Sequence, residues 1–90
     1  MSNTSKPVAK VKMSPIHAAI FRNETSDGRA YYTTVFERRY RDEAGNWKSG
    51  SSFSTSELLL LAKAADRSHT EILQLQESDR QAQQPDEQAA

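Results

Sequence analysis

Between Ala30 and Arg41, apolar and polar positions are mixed in one β-prone run that holds three tyrosines, a phenylalanine and three arginines and predicts the central strand of a sheet. In an extended strand, side chains alternate between the two faces with a period of two. One face then carries Tyr32, Thr34, Phe36, Arg38 and Tyr40. The other carries Tyr31, Thr33, Val35, Glu37, Arg39 and Arg41. Both faces combine aromatic with cationic side chains, so the strand departs from the simple apolar-in, polar-out pattern of a sheet with one solvated face.

Two shorter segments precede the central strand and also show strand-like alternation. Residues 8–13 alternate apolar side chains with lysine, which is typical of an edge strand or of a basic arm. After a Ser-Pro pair, the apolar segment 16–22 predicts a further strand. Its faces carry Ile16, Ala18 and Ile20 on one side and His17, Ala19 and Phe21 on the other. Residues 23–29 contain an Asp-Gly pair and predict the turn into the central strand.

The second half of the chain predicts a short strand and then one helix. The segment 42–53 is typical of a turn followed by a strand, with a bulge at Gly50 or a break there into two short strands. Ser54 and Glu57 have the spacing of a capping box, which predicts a helix from Thr55 to about Gln76. The expected buried stripe of this helix consists of Leu58, Leu61, Ala62, Ala65, Ile72 and Leu75, widened by Leu59, Leu60 and Leu73.

These elements predict an α+β fold, with a three- to four-stranded antiparallel sheet followed by one long C-terminal helix. The folded domain is expected over residues 8–76, after a disordered leader at residues 1–7. Residues 77–90 are expected to form a disordered, acidic tail rich in glutamine. A single helix covers one face of such a sheet, so the other face is left for solvent, a partner subunit or a ligand.

The residue patterns of common active sites and metal centres are missing from the sequence. The 90 residues include no cysteine, and the two histidines, His17 and His69, lie far apart. No nucleophile, base or Gly-rich phosphate loop occurs in a recognisable motif. We therefore expect no enzyme activity, no catalytic residue, no cofactor, no metal and no small-molecule substrate. No segment reaches the roughly 18 apolar residues of a membrane span, which makes a cytoplasmic protein without membrane contact the default expectation.

Charge is balanced over the whole chain but not along it. Residues 1–67 hold eleven Lys or Arg against seven Asp or Glu, whereas residues 68–90 hold one Arg against five acidic residues. The body is therefore positive by four charges and the C-terminal part negative by four. Because salt screens charges over about 8 Å at physiological ionic strength, a distant tail would not cancel a basic surface of the body.

The order of the elements resembles a known family of nucleic-acid-binding domains. The motifs that carry the resemblance are the strand end Glu37-Arg38-Arg39-Tyr40, the hairpin from Asp42 to Gly50 and the Ser54-x-x-Glu57 helix start. Over roughly residues 16–72, they resemble the single-stranded-DNA-binding domain of the transcriptional coactivator called positive cofactor four and its small bacterial relatives. The Whirly and Pur-type proteins share a similar strand-strand-strand-strand-helix plan and are the nearest alternatives.

The resemblance implies a homodimer in which helices pair and the two sheets form curved surfaces for single-stranded nucleic acid. It also implies a role as an accessory factor in transcription or replication. The chain departs from the family in one respect. The hairpin and third strand of the family are usually richer in lysine, whereas serines occupy much of that region here, namely Ser49, Ser51, Ser52 and Ser54. Binding is therefore expected to be weaker or altered.

The candidate binding residues combine aromatic and cationic side chains. They are Tyr31, Arg39 and Arg41 on the central strand, Phe21 and His17 on the strand before it, and Trp47 and Lys48 on the strand after it. Bases stack on aromatic rings with little sequence preference, while Arg and Lys neutralise the phosphates. We therefore predict binding of single-stranded DNA, or of RNA on the same surface, with low sequence specificity.

Several alternatives stay open at this point. The arginines of the central strand could instead pair with Glu37, Asp42 or Glu43 in ordinary cross-strand packing. Trp47 could anchor a strand, and the lysines at positions 6, 10 and 12 could serve only solubility. The leucine run 58–61 is more apolar than one helix face requires, which favours a dimer partner. A module that binds another protein through the open sheet face or the helix is the alternative function.

Overall fold

A computed structural model describes residues 6–83 as one antiparallel sheet followed by one helix. The strands are β1 (Ala9–Met13), β2 (Ile16–Glu24), β3 (Ala30–Arg41) and β4 (Trp47–Gly50), and they lie in the order β1-β2-β3-β4. A single 3-10 turn (Thr55–Glu57) leads into α1 (Leu58–Gln83). The α+β architecture expected from the sequence is thus confirmed, with four strands and residues 9–13 as the edge strand.

The hydrophobic core lies between α1 and the middle of the sheet. The side chains of Ile16, Ala18 and Ile20 project from one face of β2 and are buried, as the alternation of this strand predicts. They pack against α1, where Ala64 is fully buried. Because few large side chains are fully buried, this core is thin, and contacts at its rim contribute a correspondingly large share of the stability.

The buried stripe of α1 differs from the predicted one. Ala64 and Ser68 lie at its centre and are buried, whereas Ala62 and Ala65 are exposed and Leu58 is half exposed. Small side chains let the helix backbone approach the sheet closely, but they contribute little to an apolar pattern in the sequence. The predicted stripe is therefore partly wrong: Leu61, Ile72 and Leu75 are partly covered, as is Leu60, whereas the remaining members are exposed.

The start of the helix is as expected and its end is not. The capping box is present, and the Glu57 carboxylate accepts a hydrogen bond from the Ser54 backbone amide at 2.9 Å. The helix continues to Gln83, so the prediction of a disordered tail from residue 77 is wrong over residues 77–83. Its last turns are anchored to the sheet through Asp79. Residues 1–5 of the predicted leader and 84–90 of the predicted tail lie outside the described residues.

The turn between β3 and β4 depends on a glycine. Gly45 has a φ of +87°, a conformation that residues with a side chain rarely adopt, and its amide donates to the Asp42 carbonyl at 3.0 Å. The Asp42 side chain also accepts from the Asn46 amide at 2.9 Å. The following strand stops at Gly50 and residues 51–54 form no strand, so neither the expected bulge nor a second short strand is present there. In the described part of the chain, α1 is too polar to cross a lipid bilayer.

Candidate functional site

The face of the sheet turned away from α1 is not covered by any other part of residues 6–83. We call it the open face. Register between the strands determines its members, since paired residues of antiparallel strands project to the same side. From β1 to β4 they are Lys10, Lys12, His17, Ala19, Phe21, Asn23, Tyr31, Thr33, Val35, Glu37, Arg39, Arg41, Trp47 and Ser49. Six of the seven residues predicted to bind thus share one surface.

Lys48 is the exception, and its predicted position is wrong. It pairs with Tyr40, so its side chain projects to the helix side of the sheet, opposite to that of Trp47. There its ammonium lies 3.7 Å from the Asp42 carboxylate. The physical reason is the period of two along a strand, because consecutive residues cannot share a face in a regular strand. Lys48 is therefore removed from the candidate site.

Cations on the helix side of the sheet have carboxylate partners. The Arg38 Nε lies 2.9 Å from a Glu57 carboxylate oxygen, next to the start of α1. Arg22 lies 2.9 Å from Glu24 and 3.5 Å from Asp79. Together with Lys48, these residues form the rim of the core, and their charges are locally balanced. They therefore serve the structure and leave little net charge for a ligand.

Cations on the open face have no such partners. Four of them lie there, and within residues 6–83 none has a carboxylate oxygen within 4.0 Å. They are Lys10, Lys12, Arg39 and Arg41. The proposed pairing of the β3 arginines with Glu37, Asp42 or Glu43 is absent, since Asp42 pairs with Lys48 instead. Glu37 is the one carboxylate on the described open face, so this surface is positive by three charges.

Aromatic side chains lie at both ends of the open face. Trp47 is 58% exposed and Tyr31 is 47% exposed, whereas Phe21 is half-buried. The Arg41 guanidinium lies 4.9 Å from the centroid of the Trp47 ring, which is within the range of a cation–π interaction. Val35, 52% exposed, adds an apolar patch between the two ends. Large rings with so much free surface offer platforms for stacking.

A cleft opens at the end of the open face next to the β1–β2 turn. It has a volume of about 330 Å³ and is lined by Ser14, Pro15, His17, Arg39 and Trp47. We call it the Pro15 cleft. The Arg39 amide donates to the Pro15 carbonyl at 2.8 Å, which ties β3 to the turn and sets the position of the cleft wall. A smaller groove of about 160 Å³ shares Arg39 and His17 with it and is also lined by Lys12, Lys10 and Glu37.

Arg39 lies at the junction of the cleft and the groove and has an unusual environment. Its Nε is buried and has no hydrogen-bond partner among the described residues. Burying a donor without an acceptor is unfavourable, so such groups in native proteins usually meet water, an ion or a ligand. The geometry therefore makes Arg39 the strongest single candidate for an anion contact.

Contacts on the opposite side of the sheet hold the open face in place. The Tyr32 hydroxyl donates to the Asp79 carboxylate, and partial burial followed by this hydrogen bond raises the pKa of the Tyr32 hydroxyl. Glu57 accepts from the Ser54 amide and from Arg38, which lowers the pKa of the Glu57 carboxyl. Both ends of β3 are thereby attached to the helical layer.

Sequence reasoning overlooked some members of this surface. It left open whether Lys10 and Lys12 serve solubility or phosphate binding, yet the lysines continue the cationic surface of β3 across β2. Their period-two spacing was the available signal. Ser14 and Pro15 were interpreted as an interruption between strands and not as a cleft wall. That role depends on where the turn lies relative to Trp47, which the sequence pattern does not contain.

Within residues 6–83, His, Cys, Asp and Glu side chains do not form a group of three that could hold a metal ion.

Comparison with protein-family models, with curated proteins and with solved structures finds no match for this chain. The fold and the open face are therefore the basis for any functional assignment.

Proposed function

We propose that this protein binds single-stranded nucleic acid on the open face, with single-stranded DNA as the preferred ligand, RNA as a second ligand of the same surface, and little sequence readout. One observation carries the proposal. Charged residues are segregated, so that the cations on the helix side have carboxylate partners and the four on the open face have none within the described chain. A surface with unpaired cations and exposed rings has the chemistry that single strands require.

In the proposed mechanism, aromatic rings contact the bases and cationic side chains contact the phosphates. Bases would stack on Trp47 and Tyr31, and each stacked base is worth about 1–3 kcal/mol. Arg39, Arg41 and the β1 lysines would neutralise phosphates, which adds a term that depends on salt. Neither interaction distinguishes strongly between bases, because every base has a π-face and every nucleotide a phosphate. Low specificity follows from the chemistry of the surface.

The spacing of the rings sets the length of strand required. Trp47 pairs with Arg41, and Tyr31 lies ten positions before Arg41 on β3, so the two rings are about 33 Å apart at 3.3 Å per residue. A single strand with stacked bases advances about 3.4 Å per nucleotide. An oligonucleotide of about ten nucleotides would therefore span both platforms, and shorter ones would use one of them.

The proposal includes a homodimer formed through α1. Leu58, Leu59 and Leu73 are 51%, 83% and 50% exposed on the side of the helix away from the sheet. Burying such side chains against a second copy would add apolar area to a thin core. Light scattering should give the mass of a dimer at tens of micromolar, and Leu59→Glu should shift it toward a monomer. A monomeric wild-type protein at that concentration would contradict this part of the proposal.

The binding proposal is tested by fluorescence anisotropy with a labelled oligonucleotide of about 15 nucleotides, at low and at physiological salt. We expect saturable binding that weakens as salt rises, tighter binding of the single strand than of the duplex, and saturable but weaker binding of an RNA of the same sequence. Absence of binding at low salt would contradict the proposal. It would favour the alternative, a protein-interaction module, to which the exposed Val35 on the open face would then be relevant.

A further inference from the structure

The Pro15 cleft differs from the adjoining groove because it is larger and because apolar rings and nitrogen donors line it together. The pyrrolidine ring of Pro15 and the indole of Trp47 are flat or nearly flat apolar groups. Arg39 and His17 supply nitrogen donors in the same cleft. A volume of about 330 Å³ lies at the lower end of the range for small-molecule sites, which is about 300–1,000 Å³. The cleft is therefore large enough for one small, flat ligand with an anionic group.

Arg39 indicates which kind of group the ligand carries. Its buried Nε has no acceptor among residues 6–83, although its backbone amide is bound to Pro15. A guanidinium presents neighbouring N–H donors in a planar fork that matches phosphate oxygens. Lys12 lines the adjoining groove together with Arg39 and adds a second positive charge there. A phosphate would thus satisfy a donor that the protein itself leaves unpaired.

We infer that the Pro15 cleft receives a single nucleotide unit, with its base between Trp47 and Pro15 and its phosphate on Arg39. The inference rests on the proposed function for its class of ligand and adds a defined position on an otherwise tolerant surface. The unit can be a free nucleoside monophosphate or one nucleotide of a bound strand, since both present the same base and phosphate. One nucleotide is thereby fixed, and the remainder of the strand follows the groove toward Lys10.

Trp47 makes the inference directly measurable, because it is the one tryptophan of the chain. Its fluorescence is followed while adenosine 5′-monophosphate or thymidine 5′-monophosphate is added. We expect saturable quenching, with adenosine alone and inorganic phosphate alone each binding about tenfold more weakly, since each lacks one half of the recognised unit. Equal affinity for inorganic phosphate, or no saturable quenching by either monophosphate, would overturn the inference.

Two variants separate the cleft from the general surface. Arg39→Lys keeps the charge but loses the planar fork, and it should weaken binding of the monophosphate about tenfold. Tyr31→Ala removes the ring at the far end of the open face. It should leave the affinity for the monophosphate unchanged and lower the affinity for the oligonucleotide. Unchanged monophosphate affinity in Arg39→Lys would overturn the inference. Far-ultraviolet circular dichroism of each variant verifies its folding, and a variant that has unfolded is replaced by Arg39→Gln.

The same titrations distinguish the two sources of the ligand and the two proposals. If the oligonucleotide quenches Trp47 at a much lower concentration than the monophosphate does, the strand is the ligand. If the two quench at equal concentrations, the free nucleotide is the ligand. Both results support nucleotide binding in the cleft. If the oligonucleotide binds by anisotropy and the monophosphates do not bind, the cleft is overturned while the proposed function stands. If the monophosphates bind and the oligonucleotide does not, the proposed function is overturned while the cleft stands.

Discussion

Arg38 and Arg39 are consecutive residues of β3, yet their side chains lie on opposite faces of the sheet and differ in their partners. Arg38 is bound to Glu57 at 2.9 Å, whereas Arg39 has no carboxylate within ion-pair distance in the described chain and keeps a buried Nε without an acceptor. The first arginine ties the sheet to the helical layer. The second faces the exterior and is the natural contact for an anion.

Removing the arginines of the open face should weaken binding of single strands. We expect the double variant Arg39→Ala, Arg41→Ala to bind a 15-mer at least about tenfold more weakly. The slope of log affinity against log salt should also fall by about 1.4, because two phosphate contacts are lost. Anisotropy titrations at several salt concentrations give both quantities.

Arg67 provides a matched control for that experiment. It is exposed on α1, away from the open face, and Arg67→Ala removes the same type of charge. Its affinity and salt slope should stay close to those of the wild type. If Arg67→Ala and the double variant lose affinity equally per charge removed, attraction to the whole protein explains binding and the open face has no special role.

Glu37 should oppose binding, because it is the one carboxylate on the described open face and it lines the groove beside Arg39. Glu37→Gln removes its repulsion of phosphates while preserving its shape. We expect affinity for the 15-mer to rise roughly twofold to fivefold at low salt. Asp66→Asn on the exposed side of α1 is the control and should change affinity little. A loss of affinity in Glu37→Gln would mean that the carboxylate positions a cation and does not repel the ligand.

The hydrogen bond between Tyr32 and Asp79 should contribute to stability and not to binding. Tyr32→Phe removes the donor and leaves Asp79 with Arg22 as its partner. We expect the free energy of unfolding to fall by about 1 kcal/mol at neutral pH, measured by chemical denaturation. In the folded protein the pKa of the Tyr32 hydroxyl is raised above its ordinary value of 10.0. The stability that this hydroxyl contributes is therefore fully present below the ordinary pKa and is lost as pH rises through the raised pKa. This alkaline loss should be smaller in Tyr32→Phe, and unchanged alkaline behaviour would contradict the assignment.

Glu57 should make the fold sensitive to acid. Its pKa is lowered below the ordinary value of 4.5, first by the Ser54 amide and then by Arg38. A carboxyl group with a lowered folded pKa contributes stability above the unfolded pKa and loses it as pH falls through the folded value. Denaturation of the wild type should therefore become easier as pH drops below about 4.5. Glu57→Gln should show a flatter dependence over the same range, while Glu43→Gln in the β3–β4 turn should behave as the wild type.

Much of the sheet could be predicted because its signals are local. The bounds of β3 follow from one uninterrupted β-prone segment, and its two faces follow from the period of two. Glu57 could be assigned to the helix start because a capping box lies within four residues. Which face lies under the helix was harder to predict, since the half-buried Tyr32 and Phe36 follow Tyr31 and Val35, which are also aromatic or apolar but lie on the exposed face.

The remainder depends on relationships between distant residues. Ala64 and Ser68 mark the line of closest approach of helix and sheet, but their small side chains carry almost no apolar signal. Contact between Tyr32 and Asp79 joins positions 47 residues apart and accounts for a helix that extends past its predicted end. The Pro15 cleft likewise requires the β1–β2 turn and Trp47 to meet in space. Patterns along the chain do not contain these distances.

The central claim is that the open face, and not the helix, contacts single-stranded nucleic acid. It is tested most directly by nuclear magnetic resonance, in which chemical-shift changes are mapped while a 15-mer is added to isotope-labelled protein. The account predicts the largest changes at the Arg39 and Trp47 side chains, at Lys12 and at Tyr31, with little change at Leu59 and Arg67. Changes concentrated on the exposed side of α1, with the open face unaffected, would contradict it.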